Sequence, residues 1–503
     1  MGLRINSNLP SVTALRNLRL ADARQSQTLE RLATGLRINR ASDDPSGLVI
    51  SENLRSQIEG MKQAVENSHN AKNMVSTAEA ALGETSSLLI GIRESLIFAL
   101  NDGSATREQI AAEQDSVDSA IQALKRIADT SRFGTKQLLN GASSFDFLNV
   151  SGQGILNVTA HRVRFDESTN AVSTDFDLQI LQPASGATAV IRNQGTPLNT
   201  QVVTGGSVTL RITGDIGSED ITLASGTTLD QFQQLVNVLR GSTGIYMVSG
   251  AMVTEKFGSE ARLSVEKVSG AGSFNAGGVD AVLPGTGDRF IDTGRDAVVN
   301  FEGLLVTGAG NSVKISTSFF EGTVELNPLT NEDASRGQGV SGSYGFTIRN
   351  GTGLRFQLGN QPTSNDLTII GLPDLSPSTL GVATVTLGGI EMGGFLTSLV
   401  SGGENDLFTD AKNALFITDA AIGQILEARA YLGAYVADVV DPNIRASDVA
   451  IENLTASESD IRDLDFAAEV AELTKSQILF QSGISVLAQS NLIPQSVLQL
   501  LQG

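Results

Sequence analysis

Two amphipathic helical segments lie at opposite ends of this chain, with a long stretch of strand-and-turn composition between them, and this arrangement limits the fold more than any other feature. From about residue 8 to 130, and again from about 408 to 501, glycine is sparse and Ala, Leu, Ile, Gln, Glu and Arg dominate. Between them Gly, Thr, Ser and Val take over, with short alternating runs such as Val208-Thr209-Leu210-Arg211-Ile212. Alternation with period two, bounded by turn residues, predicts short half-buried strands. The fold class expected is α+β, with helical N- and C-terminal regions around a β-rich middle.

Both flanks carry heptad-like seams. Val75, Ala78, Leu82, Leu89, Ile92 and Leu96 form one in the N-terminal flank. In the C-terminal flank Phe466, Val470, Leu473, Phe480, Ile484 and Leu487 form a second, with Ile461, Leu464, Ala468, Ala471 and Ile478 beside it. Two adjacent stripes make an apolar face too wide for a single partner helix. Charge points the same way. Residues 1–40 hold seven Arg against Asp22 and Glu30, while residues 455–503 hold six acidic groups against Arg462 and Lys475. Oppositely charged ends that both need a helical partner are expected to pair, within one chain or between copies.

One boundary is readable in detail. In Asn39-Arg40-Ala41-Ser42-Asp43-Asp44-Pro45-Ser46-Gly47-Leu48, Asp44 is a natural N-cap and Pro45 suits the first helical position. A helix is predicted to end before about residue 41, with Gly35 as an earlier stop, and a new one to start at Pro45. Capping accounts for the Asp43-Asp44 pair more simply than a metal site or an acid–base pair does.

Length and composition narrow the function. At 503 residues the chain is expected to form three or four units. It has no cysteine, so disulfides and thiolate metal sites are excluded. A net charge of −20 argues against nucleic acid as a partner. No apolar run approaches the ~20 residues that span a bilayer, so no membrane insertion is expected. Met1-Gly2-Leu3-Arg4-Ile5-Asn6 lacks the basic start and apolar core of a secretory signal, so export without a cleaved signal peptide is expected.

The flanks resemble bacterial flagellin. Ala33-Thr34-Gly35-Leu36-Arg37-Ile38-Asn39 with Ser42-Asp43-Asp44-Pro45-Ser46-Gly47-Leu48 is similar to that family's N-terminal signature. Ser131-Arg132-Phe133-Gly134-Thr135-Lys136-Gln137-Leu138-Leu139-Asn140-Gly141 resembles the turn closing its N-terminal helical region. Arg429-Ala430-Tyr431-Leu432-Gly433-Ala434, Leu473-Thr474-Lys475-Ser476-Gln477-Ile478-Leu479, Leu487-Ala488-Gln489-Ser490-Asn491 and Pro494-Gln495-Ser496-Val497-Leu498 resemble its C-terminal region. In the middle, Val208 to Gly250 and Arg295 to Gly303 resemble the β-rich insert repeat of flagellins and hook-associated proteins, and Gly353 to Gly381 resembles a rod-domain strand pair.

That resemblance implies a structural subunit that polymerises into the flagellar filament and lies outside the cell. Residues 1–44 and 455–503 would form an inner coiled coil, 45–160 and 336–454 a helical rod with strands, and 161–335 a surface-exposed outer insert. Partners implied are many copies of the same chain, an export chaperone, the filament cap and hook-junction proteins; no cofactor is implied. Leu15, Leu29, Leu32, Arg37, Phe466, Val470, Leu473, Phe480, Ile484 and Leu487 are the expected assembly contacts. Export would use the flagellar type III apparatus.

Two departures from the family pattern stand out. Pro442 lies where a rod helix continues, which predicts a kink or a short non-helical insert near 440–443. On the helix recognised by the innate immune flagellin receptor, Arg93 and Glu94 match. Gly91 stands for a basic residue and Ser95 for an apolar one, so weak or absent receptor activation is expected.

Other functional classes find little support. A zinc peptidase inside the insert would need His-Glu-x-x-His, and the chain holds only His69 and His161, both read as surface histidines. There is no Gly-Lys pair for a phosphate loop, and Gly285-Thr286-Gly287 and Gly308-Ala309-Gly310 read as turns. No catalytic, cofactor or metal residues are expected, and the chain is read as not an enzyme. The rival readings are a hook–filament junction protein, against which the long C-terminal match argues, and a filament subunit whose insert is also an adhesive module. Asn149-Val150-Ser151 and Asn157-Val158-Thr159 match an N-glycosylation pattern that is frequent by chance.

Overall fold

The computed structural model describes residues 8–101, 103, 105–150, 154–165, 172–190, 201–248, 250–275, 282–283, 288–327, 342–363, 366–387 and 390–502. Met1–Asn6, Ser151, the turn at Gly285–Gly287 and the expected division at 335/336 lie outside them, as do the side chains of Pro494–Leu498. The helices are α1 (Leu9–Thr34), α2 (Pro45–Ala99), α3 (Arg107–Thr130), α4 (Leu229–Val238), α5 (Arg240–Thr243), α6 (Ala411–Ala434), α7 (Asp441–Arg462) and α8 (Phe466–Gln502). Helical ends around a β-rich middle are what the composition predicts. Two compact units result: one is Ser68–Leu358 with Pro362–Asp441, and the other comprises the chain up to Asn67, Gly359–Gln361 and the chain from Pro442.

The helix limits follow local chemistry. Asn8 caps α1 by accepting from the Ser11 N–H at 3.2 Å. Gly35, at φ 74°, ends the helix in the left-handed conformation that glycine adopts without strain. Asp44 Oδ1 accepts from the Gly47 N–H at 3.0 Å ahead of Pro45, so the predicted cap is present. Thr106 and Gln109 form a capping box on α3.

Pro442 does not interrupt its helix. A single π-helical turn, Tyr435–Val440, precedes α7, and the Asp441 N–H donates to the carbonyl of Val436, five residues back. Widening the turn accommodates a ring that has no N–H to give, so the expected non-helical insert is replaced by continuous helix.

In the larger unit, every residue of the predicted N-terminal seam (Val75, Ala78, Leu82, Leu89, Ile92 and Leu96) is buried. Lys72 and Arg93 of α2 reach Asp441 and Asp419 at 2.7 and 2.6 Å. Buried Gln114 of α3 donates to the Leu399 carbonyl and accepts from the Leu407 N–H, each at 2.9 Å.

Among the described residues of the β-rich part, two large cores stand out. The first lies among two five-stranded antiparallel sheets. One runs in the order Leu304–Thr307, Val298–Phe301, Ser173–Gln182, Gly342–Arg349, Phe147–Val150. The other runs Ser312–Ser316, Phe320–Leu326, Ile155–Val163, Leu367–Ile370, Leu354–Gln357. Phe176 has Phe301, Phe320 and Phe346 at ring-centroid distances of 6.0, 5.3 and 5.2 Å. The expected division at 160/161 therefore falls inside a strand, and strands read as rod share a sheet with strands read as insert.

The second core fills the space between α4 and a four-stranded sheet ordered Arg289–Thr293, Arg262–Ser269, Val208–Thr213, Ser218–Leu223. Val208, Leu210 and Ile212 point into it and Arg211 points out, as the alternation predicts. There Arg211 pairs across the strands with Asp220 at 2.8 Å.

His69 is exposed, but His161 is not. At 5% exposure, His161 stacks on Tyr431 of α6 at 4.6 Å between ring centroids. The surface reading is corrected because strand Ile155–Val163 is covered over most of its length, and residue type alone does not reveal that.

Candidate assembly interface

In the unit made of the chain ends, α1 and α8 lie antiparallel. Asn8 Nδ2 donates to the Ser490 carbonyl at 3.0 Å, and Ser11 Oγ donates to Asn491 Oδ1 at 2.9 Å. At the other end of the pair Arg31 stands 3.8 Å from Glu469, one in-chain contact between the basic and acidic ends.

Among the described side chains, the residues buried along this pair are small. They are Ala14, Ala21 and Thr28 on α1 and Ser476 and Ser490 on α8. Gly483 lies midway between the two serines, so both helices carry small residues at seven-residue steps. Small side chains at a heptad seam let two backbones approach closely, and the large apolar side chains are displaced sideways. Leu32, Leu473, Phe480 and Leu487 are half-buried. Phe466, Val470 and Ile484 are 55, 50 and 47% exposed, and Leu15 and Leu29 are 38 and 47% exposed. The seven-residue spacing of the small residues is visible in the sequence, but a search for large apolar residues passes over it.

Arg37 takes a different position. Leu36 bridges Asp463, the Arg37 N–H donates to the Arg462 carbonyl at 2.8 Å, and the Arg37 guanidinium donates to the Ile461 carbonyl at 2.6 Å. The Leu464 N–H returns a bond to the Gly35 carbonyl at 3.0 Å. Residues 35–37 and 462–464 thus form a backbone clasp between the two ends of the chain. Arg462 also reaches Glu52 at 2.6 Å.

The adjoining Asp43 accepts from the backbone N–H groups of Arg40 and Asn39 at 2.9 and 3.1 Å and from Gln27 at 3.0 Å. The Arg40 N–H leads in holding its carboxyl below the usual range, aided by Asn39, Gln27 and the charge of Arg31 and opposed by burial. Both aspartates of the pair therefore serve the backbone. Among the described residues no cluster of three His, Cys, Asp or Glu could hold a metal. No helix among them is long and apolar enough to cross a membrane.

The four receptor-patch candidates lie on α2. Gly91 opens to solvent, Glu94 is exposed, Arg93 is held by Asp419, and Ser95 is buried at 6% exposure. A groove of about 420 Å3 runs past Gly91, Glu94 and Ser95 toward Glu113 and Val117 of α3.

The family models for the bacterial flagellin N-terminal and C-terminal helical regions match residues 5–144 and 415–501, the segments that build these helices. Curated flagellins align along essentially the whole chain. B-type flagellin of Pseudomonas aeruginosa is 27% identical over 559 aligned residues, covering 100% of both chains. The chain belongs to the flagellin family. Flagellin of Clostridium tyrobutyricum is 27% identical over 97% of this chain and 98% of its own, and flagellin B of Helicobacter pylori is 27% identical over 100% of both. As a flagellin, the chain is a structural subunit of the bacterial flagellar filament.

Among solved structures, hook-associated protein 3 of Legionella pneumophila is 15% identical with a TM-score of 0.30, covering 82% of this chain and 98% of its own. The flagellar cap protein of Escherichia coli is 14% identical with a TM-score of 0.26, covering 48% and 65%. Overlaps this slight favour neither a junction nor a cap role for this flagellin.

Proposed function

We propose that the α1–α8 pair with its clasp is the polymerisation end of the subunit, and that copies join through the large apolar side chains beside the small-residue seam. The observation that carries this reading is the exposure of Phe466, Val470 and Ile484 on a helix whose inner face is already occupied by α1. Burying the exposed half of each such side chain against neighbouring copies contributes roughly 1 kcal/mol. Summed over many copies, this favours the polymer over the monomer.

In this reading residues 1–44 and 455–503 form the filament's inner layer, the helical rod surrounds it, and the β-rich insert faces solvent. The subunit works by packing, with no catalytic chemistry. It leaves the cell through the flagellar export apparatus, held soluble by a chaperone that covers the apolar helix, and is laid down beneath a filament cap on a hook-junction protein. Its receptor patch, with Ser95 buried and Arg93 engaged by Asp419, is a poor ligand for the innate immune receptor.

The test is assembly. Purified monomer is given salt or filament seeds and imaged beside a truncation lacking residues 455–503. Long filaments from the full chain and none from the truncation support the proposal. Growth of the full chain only as short caps would favour a junction protein.

A further inference from the structure

The two β cores are joined without a slack linker. Ala184 is buried in the first core and Ala187 in the second, so the outgoing chain crosses between them through Ser185 and Gly186 alone. The return crossing runs from Thr293, the end of the second core's edge strand, to Ala297, buried in the first core. The crossings are paired: the Ser185 N–H donates to the Arg295 carbonyl at 2.9 Å, and the Arg295 N–H donates to the Ser185 carbonyl at 3.0 Å. Boundaries that permit domain movement lie in exposed stretches with few contacts, whereas here Gly186 and Gly294, one on each crossing, are buried.

Asp296 stands at the centre of this joint. Its Oδ1 accepts from the Ser259 N–H and from the Gly310 N–H, each at 2.9 Å. Ser259 lies on the loop between strands Ala251–Thr254 and Arg262–Ser269, on the side of the second core. Gly310 lies in the turn between Leu304–Thr307 and Ser312–Ser316, the edge strands of the two sheets around the first core. One carboxylate oxygen therefore ties the return crossing to a loop from each side. The fit is close: a methyl group added at Gly258 would stand 2.5 Å from Asp296 Oδ1 and 2.6 Å from Gly310 Cα.

We propose that Asp296 is a lock: it holds the two β cores as one rigid body, and without it the second core swings about the crossings at Gly186 and Gly294.

The packing around the joint leaves this role to a hydrogen-bonding group. In the hairpin Ile245–Val248 and Ala251–Thr254, Met247 and Met252 belong to the second core, while Tyr246, Ala251 and Val253 form a cluster of their own. Phe257 packs against that cluster and against the first core. Apolar contact of this kind keeps the cores together, but it is non-directional and does not fix their angle. Directional bonds do, and those made to a charged acceptor are about twice as strong as neutral ones. The Asp296 carboxyl is held below the usual carboxylate range, first by the Ser259 hydroxyl and then by the Gly310 and Ser259 N–H groups, against burial. It is thus charged at neutral pH, and removing it would leave both N–H groups without their acceptor.

The inference is independent of how copies pack, and the full-length monomer tests it. The chain has no cysteine, so spin labels enter only where they are placed. Gln179→Cys beside the first core and Gln234→Cys on α4 put one label at an exposed position on each side. The expected result is a single narrow distribution of distances between them. Asp296→Ala should broaden it about twofold with helix and strand content unchanged, and Asp296→Asn, which keeps an oxygen acceptor, should restore most of the narrowness. Should Asp296→Ala misfold, amide exchange in the natural chain is the second test. There Ser259 and Gly310 are expected to open together, with protection within about threefold of each other. A broad distribution in the natural chain, a distribution as narrow after Asp296→Ala as before it, or independent exchange at Ser259 and Gly310 would overturn the proposal.

Discussion

Gly483 of α8 lies so close to Leu18 of α1 that a methyl group added there would stand 3.2 Å from Leu18 Cδ1. That contact sets the spacing of the terminal helix pair, and it explains why the seam is lined by Ala, Thr, Ser and Gly while phenylalanines are left outside. Gly483→Ala is expected to be close to neutral, because helix propensity gains about 1 kcal/mol while Leu18 gives way. Gly483→Val overfills the seam and is expected to cost about 1–3 kcal/mol. Chemical denaturation of the monomer followed by helicity, with seeded elongation in parallel, checks both.

The linker between α1 and α2 makes a separate prediction. Asp44→Ala removes the cap on Gly47 and should destabilise the monomer by about 1 kcal/mol, whereas Asp44→Ser should lose much less. Denaturant midpoints at neutral pH distinguish them.

Asp43 gives the same linker a pH dependence. Its carboxyl is held low chiefly by the Arg40 N–H, so its contribution is present above the usual carboxylate range and lost as pH falls through its lowered value. Protection of the Arg40 amide, its exchange rate compared with that of an unstructured chain at the same pH, should fall in acid in the natural chain. Asp43→Asn should show low protection already at neutral pH and little further change.

In the larger unit, Leu82 and Leu89 are fully buried. Leu82→Ala is expected to cost 2–5 kcal/mol, within the range of core cavity mutations. A calorimetric scan would read this as a lower Tm. An unchanged scan would mean that the α2 seam is not a core.

Receptor activation should be weak, because Ser95 is buried and Arg93 is committed to Asp419. A receptor-reporter assay against a standard flagellin checks this, and a full-strength response would contradict it.

The sequence revealed some of these features and concealed others, for physical reasons. The α2 seam was legible because large apolar residues at helical spacing have one common use, burial. The caps at Asp44 and Gly35 were legible because Asp before Pro and Gly after a helix each satisfy a local backbone need. The α1–α8 seam was not, since Ala14, Ala21, Ser476 and Ser490 carry no hydropathy signal and their role depends on a partner hundreds of residues away. His161 was misread because its burial comes from α6, which reaches it only in the folded chain. At Pro442 the ring's demand was read correctly, but a helix can meet it by widening one turn as well as by breaking.

The central claim is that the large apolar residues of α8 serve other copies more than their own chain. The direct measurement compares monomer stability and seeded filament growth for Phe466→Ser combined with Ile484→Ser. The account predicts a monomer whose denaturation midpoint hardly moves, because both side chains are about half exposed, together with loss of elongation. Normal filament growth from that variant would contradict it.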